Sequence, residues 1–182
     1  MGTLDIPCSD KGKSEAIAAK KKFSDINYFR IYCSPLSRAV QTTECLFPGK
    51  NFVIEENLIE RELGLWAGKT FTTIKKDFPE AFLKSGKIDP YFTPKNGEPI
   101  ENVIFRVKNF IDLLLDLFTA LKHENKVTNT YNIAIVTHNG IIRVMRYLMN
   151  TIPISDIFSE NEKHLVPIKY SFDGKHWKQL TH

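Results

Sequence analysis

The sequence predicts an α/β domain built on a mainly parallel sheet. Three observations carry that reading. Helical and extended patterns alternate along the chain, the arrangement that joins parallel strands through helices. The stretch Asn132 to Thr137, NIAIVT, is largely apolar, like a strand in the buried middle of a parallel sheet. Glu101 to Lys122 carries Val103, Ile104, Val107, Phe110, Ile111, Leu114, Leu115 and Phe118 at helical spacing. At 182 residues the chain suffices for one well-cored domain spanning 1–182.

The elements follow in order. Asp5-Ile6-Pro7 is a turn, Ser9-Asp10 can cap a helix, and Lys13 to Phe23 has good helix formers. Phe29 to Cys33 is short, apolar and partly β-branched, hence a strand. Ser34-Pro35 then opens a helix through about Leu46, with proline where a missing N–H costs nothing. Phe52 to Ile54 reads as a short strand, and Thr70 to Phe82 as a helix interrupted near Pro79. Lys84 to Pro99 holds three prolines and two glycines and is a long loop of the kind that shapes or covers a site. After NIAIVT comes a helix, Gly140 to Met149. Leu165 to Phe172 and Trp177 to Leu180 flank Asp173-Gly174, a hairpin signal.

Charge and composition narrow the partners. The formal charge of +4 is mildly basic and short of a nucleic-acid tail. Lys20-Lys21-Lys22 sits at a helix end, where cations suit the dipole, so no nucleic-acid partner is expected. The bias instead suits an enzyme that attracts phosphorylated substrates. Cys8, Cys33 and Cys45 are odd in number and form no C-x-x-C, which points to reduced thiols in a cytoplasmic setting. The longest apolar run, Phe110 to Phe118, is broken by Asp112 and Asp116 and is too short for a bilayer, so no membrane partner is expected.

Three stretches bear chemistry. In Ser34-Pro35-Leu36-Ser37-Arg38 a strand ends, a helix begins, and a guanidinium stands in its first turn, a combination that binds anions. Taken alone, it is better read as a surface arginine on an ordinary helix. Leu58 to Thr70 is rich in glycine and charge, and a carboxyl there suits a general acid. Taken alone, Glu60, Arg61 and Glu62 are better read as a solvated loop. In Thr137-His138-Asn139-Gly140 a histidine stands at the carboxyl end of a strand and beside a helix start, where parallel sheets present ligand-binding groups. Here the functional reading leads, because a histidine so placed can bind an anion or move a proton near neutral pH.

Together the stretches resemble the histidine phosphatase superfamily, the phosphoglycerate mutase-like group. Ser34-Pro35-Leu36-Ser37-Arg38-Ala39-Val40-Gln41-Thr42 matches that family's Ser-Pro-Leu-x-Arg-Ala-x-Gln-Thr block at every defined position. Asp5 to Gly12 resembles its Asp-x-Pro-Leu-Thr-x-x-Gly segment, and Leu58 to Gly68 its Leu-x-Glu-x-x-x-Gly-x-Trp-x-Gly segment. Gly97-Glu98-Pro99 resembles Gly-Glu-Ser, and Thr137 to Gly140 resembles Ser-His-Gly-Gly. The resemblance implies a three-layer sandwich and hydrolysis of small phosphate monoesters through a phosphohistidine. It implies that Arg38 grips the phosphoryl oxygens, that Glu60 protonates the leaving group, and that His138 contacts the same phosphoryl group. Arg61 and Asn139 are candidate substrate contacts, and no metal or other cofactor is implied.

One element of the pattern is missing. No Arg-His-Gly occurs in the chain, so neither the family's nucleophilic histidine nor its first phosphate arginine is present. The sequence reads as a family member that begins after its first strand. Two consequences are expected: open backbone groups on a neighbouring strand, and lower stability than full-length relatives. Ala67, Pro99 and Asn139 depart from the usual residues at their positions. The short length and Gly64-x-Trp66-x-Gly68 favour the phosphatase branch. Glu60-Arg61 resembles the mutase wording, with Arg61 then binding a substrate carboxylate. A third alternative is a phosphate-binding module without turnover. The oligomeric state is not legible.

Overall fold

The helical repeat from Val103 to Phe118 forms α5, Ile100–His123. One stripe of it, Ile100, Val103, Val107 and Phe110, is sealed from solvent, while Phe105 and Leu113 face outward. The structure, a computed structural model, describes residues 2–123, 130–158 and 162–180. The histidine at 182 lies outside them.

Strands β1 (Tyr28–Cys33), β2 (Val53–Ile54) and β3 (Asn132–Val136) form a parallel sheet in the order β2-β1-β3. Tyr32 stands opposite Val53 on one side and Ile135 on the other. Alternation along the strands sorts the core into two faces. Tyr32, Ile133 and Ile135 pack toward α5 and α6 (Asn139–Leu148). Ile31, Ala134 and Val136 pack on the opposite face with Ala19 of α1 (Asp10–Ala19) and Leu46 of α3 (Ser37–Leu46). The result is the three-layer sandwich implied by the resemblance: helices, sheet, helices.

The sheet departs from expectation at β3. Its apolar sequence predicts the buried middle of a sheet, yet all five residues are only half-buried. Among the described residues β3 pairs with β1 alone, which leaves its other edge without a strand. The hairpin of β4 (Lys169–Phe172) and β5 (Trp177–Leu180) forms a separate antiparallel sheet. It begins four residues later than Leu165, which adopts a positive φ of 58° and cannot continue a strand. Its turn forms as predicted: the Asp173 carboxylate accepts the N–H groups of Lys175 and His176, and Gly174 takes φ 103°. Phe172 docks edge-on against Phe118 at the far end of α5.

The helix starts are set by side chains. Ser9 caps α1 by accepting the Gly12 N–H, and the helix breaks after Ala19 before a short turn, α2 (Lys21–Ser24). The expected single helix from Lys13 to Phe23 is therefore two. Thr70 caps α4 (Phe71–Asp77), which ends before Pro79. Around it Trp66, Ile74 and Ala81 form a smaller core with Phe78, Phe82 and Phe92. Helix α3 begins at Ser37, not at Ser34-Pro35, because the Asp5 carboxylate accepts both the N–H and the hydroxyl of Ser37 at 2.7 Å. Those bonds, with the charge of Arg38, hold the Asp5 carboxyl below the usual carboxylate range. The three cysteines are free thiols, and burial pushes the Cys33 thiol up. Among the described residues no helix is long and apolar enough to cross a membrane.

Candidate active site

Strands β1 and β3 end side by side, with Cys33 opposite Val136. The Ser34 N–H continues the ladder to the Val136 carbonyl at 3.0 Å. Whatever follows each strand therefore emerges at one place. After β1 it is Ser34 and then Arg38 in the first turn of α3. After β3 it is His138, which sits at the N-cap of α6. The imidazole Nε2 of His138 lies 2.7 Å from the Ser34 hydroxyl.

A third segment is drawn in from the side. The Thr137 hydroxyl donates to the Leu58 carbonyl at 2.7 Å, which fixes the chain leading to Glu60 beside the end of β3. Glu60 then reaches the start of α6. Its Oε2 accepts the Gly140 N–H at 3.3 Å and its Oε1 accepts the Arg61 N–H at 2.8 Å. A carboxylate at a helix N-terminus is favoured by the dipole and the open N–H groups. Gly140 makes room for it: a Cβ at this position would lie 2.4 Å from Oε1.

Arg38 is turned toward the beginning of the chain. Its Nη1 donates to the Leu4 carbonyl and its Nη2 to the Gly2 carbonyl, both at 2.7 Å. The segment is held further by Thr3, which donates to the Glu62 carboxylate. Residues 2–5 thus lie across the guanidinium expected to grip a phosphoryl group. The open helix start invoked with it is also taken, since Asp5 occupies the Ser37 N–H.

Arg61 is placed differently from the sequence expectation. It is buried, donating from Nε to the Glu98 carbonyl at 2.8 Å and from Nη2 to the Phe92 carbonyl at 3.2 Å. Its guanidinium also lies over the Phe158 ring. Burial pushes its pKa down, against the raising effect of Glu98, Glu101 and Glu60. It pins the loop from Lys84 to Pro99 and does not present an open cation to a substrate. Asn139, the other candidate contact, opens α6 beside His138.

Sequence reasoning missed Arg106 and Ser34. Arg106 forms a two-pronged ion pair with Glu98, at 2.9 and 3.1 Å, and donates to the Asn57 carbonyl at 2.7 Å. It ties the loop end to the segment that carries Glu60. The spacing Glu98 to Arg106 across a helix start is the signal that was available. Burial, with the charges of Arg38 and Arg106, pushes the His138 imidazole down to about 3 from its ordinary 6.5. In the free site His138 is neutral at physiological pH.

Arg38, Glu60 and His138 therefore converge at the carboxyl ends of two parallel strands, with two cations acting on one neutral imidazole. The model of the histidine phosphatase superfamily (branch 1) matches residues 1–181. The chain belongs to the histidine phosphatase superfamily.

Within it, the chain is 26% identical over 161 residues to phosphoserine phosphatase 1 of Hydrogenobacter thermophilus, covering 87% of this chain and 72% of that protein. It is 27% identical over 158 residues to glucosyl-3-phosphoglycerate phosphatase of Mycolicibacterium vanbaalenii, covering 86% and 68%. It is 30% identical over 121 residues to the mouse fructose-2,6-bisphosphatase TIGAR, covering 63% of this chain and 43% of that protein. Among solved structures, Bacillus stearothermophilus YhfR superposes with a TM-score of 0.77 at 25% identity, covering 98% and 86%. A mycobacterial glucosyl-3-phosphoglycerate phosphatase in complex with inorganic phosphate superposes with a TM-score of 0.80 at 23% identity, covering 100% and 89%. These matches support a phosphoglycerate mutase-like phosphatase fold and a histidine phosphatase.

Proposed function

We propose that the protein hydrolyses small phosphate monoesters through a phosphohistidine, and that the attacking histidine comes from a segment outside these 182 residues. The convergence of Arg38, Glu60 and His138 carries this reading. Phosphoryl transfer depends mainly on positioning and on positive charge around the equatorial oxygens. Arg38 supplies that charge once its guanidinium exchanges the Gly2 and Leu4 carbonyls for phosphoryl oxygens. His138 contacts the same group. Glu60 takes up the proton that a monoanionic ester carries into the site, and gives it to the leaving alkoxide as the P–O bond to the alcohol breaks and the N–P bond forms. In the second step a water attacks phosphorus, Glu60 takes the water's proton, and the N–P bond breaks to release phosphate.

The open edge of β3 supports a further strand there, since a parallel strand on that edge would end beside His138. Burial of Arg61 favours phosphatase over mutase, because the mutase reading needs that guanidinium for a substrate carboxylate. The remaining alternative is a phosphate-binding module, favoured by one observation: no Arg-His-Gly occurs in the chain.

The test is hydrolysis of phosphoserine and other small monoesters by the 182-residue chain and by the protein purified from its source cells. A native protein that carries Arg-His-Gly ahead of Asp5 is expected to turn over, with inhibition by vanadate and no added metal. The 182-residue chain is expected to bind phosphate without turnover. A native protein with Arg-His-Gly and no activity on any monoester would overturn the enzyme reading.

A further inference from the structure

We infer that Ser34 is a positioning residue: its hydroxyl donates to Nε2 of His138 and holds the neutral ring in the form protonated on Nδ1. The inference concerns the site of the proposed function and rests on that reading only for its catalytic consequence. The geometry is read in the free chain.

Three observations carry it. Ser34 is 0% exposed, so its hydroxyl proton cannot be given to solvent. The hydroxyl oxygen lies 2.7 Å from Nε2, a full-strength hydrogen bond. The Leu36 N–H points at the same oxygen from 3.4 Å, which occupies one of its acceptor directions. Only one arrangement satisfies all three groups. Ser34 accepts from Leu36 and donates to His138, whose Nε2 must then carry a lone pair. In the reverse arrangement the oxygen would accept both N–H groups on its two lone pairs, and the buried hydroxyl proton would be left without an acceptor among the described residues. Burial, with the cations Arg38 and Arg106, disfavours a second proton on the ring, which agrees with a neutral imidazole.

The backbone makes the contact rigid. Ser34 is bonded through its N–H to Val136, two residues before His138, so hydroxyl and ring are carried by adjoining strand ends. A histidine's free nitrogen is defined by the bond its other nitrogen or its partner makes. Ser34 therefore decides which nitrogen of His138 holds the proton when a phosphoryl group arrives.

The experiment is long-range 1H–15N correlation on the 15N-labelled 182-residue chain near neutral pH. The His138 signals are assigned by their loss in H138Q. The expected spectrum shows His138 with Nε2 unprotonated and Nδ1 protonated. In S34A the preference should collapse to a mixture or to the opposite form, and S34T, which keeps the hydroxyl, should restore it. If S34A does not fold, the contrast between S34C and S34T gives the same comparison. A protonated Nε2 in the unaltered chain overturns the inference, as does an unchanged spectrum in a folded S34A. Lack of phosphatase activity in every form would sink the proposed function and leave this result standing. The wrong tautomer would sink this inference and leave the proposed function standing.

Discussion

At Gly140 two effects of one methyl group oppose each other. The residue sits in the first turn of α6, and alanine there should favour the helix by about 1 kcal/mol. The same methyl would stand 2.4 Å from Oε1 of Glu60, the end of a flexible side chain that can swing away. G140A is therefore expected to keep or slightly raise the melting temperature while expelling Glu60 from the helix start. In the active form it should cost about 100-fold in kcat, the scale of a lost general acid. A melt beside a turnover assay checks both halves, and a G140A variant of full activity would remove Glu60 from its proposed role. His138 gives a second outcome at this scale. Its folded pKa of about 3 lies below its ordinary 6.5, so between those values the unfolded chain binds a proton that the folded chain does not. The contribution is fully present above about pH 6.5 and is lost as pH falls toward 3, with a slope of up to about 1.4 kcal/mol per pH unit. Urea unfolding at pH 7.5, 6.0 and 5.0 should show this loss, and H138Q should flatten it.

Helix α5 is the element on which the largest core depends. Phe110 is fully buried and meets Tyr32 of β1 edge-to-face at 5.1 Å, so it joins helix to sheet. F110A is expected to cost about 3–5 kcal/mol, read as a lower urea midpoint with an unchanged slope. This helix was legible in the sequence because its eight apolar positions repeat at 3.6 residues and need no partner to be recognised. The hairpin at Asp173-Gly174 was legible for the same reason, since its turn chemistry is local. What escaped was non-local. The sequence places the start of α3 at Ser34-Pro35, too early, because the carboxylate that takes the Ser37 N–H, Asp5, lies 32 residues upstream. From sequence alone Arg61 is a candidate substrate contact, because its partners, the carbonyls of Phe92 and Glu98, come from a loop more than thirty residues away. Ser34 lay within a motif that drew attention to Arg38. Its bond to His138 spans 104 positions and depends on strand register.

For the whole molecule, the deciding feature is the edge of β3. The Val136 carbonyl faces β1, where it accepts the Ser34 N–H. Strand geometry alternates these directions, so the N–H groups of Ile133 and Ile135 point to the side away from β1. Among the described residues no strand pairs on that side. Such an edge is held in shape by β1 and by packing on α5 and α6, but its outward amides are protected only by whatever covers them. Hydrogen exchange on the 182-residue chain should therefore show Ile133 and Ile135 exchanging much faster than Ala134 and Val136. A parallel strand added upstream, carrying Arg-His-Gly at its end, should slow the first pair to the rate of the second. It should also raise the melting temperature, because it would cover Ile133 and Ile135 and close the sheet beside His138. Equal protection of all four amides in the 182-residue chain would mean that the edge is already closed. The proposed strand and the histidine it delivers would then have no place in this sheet.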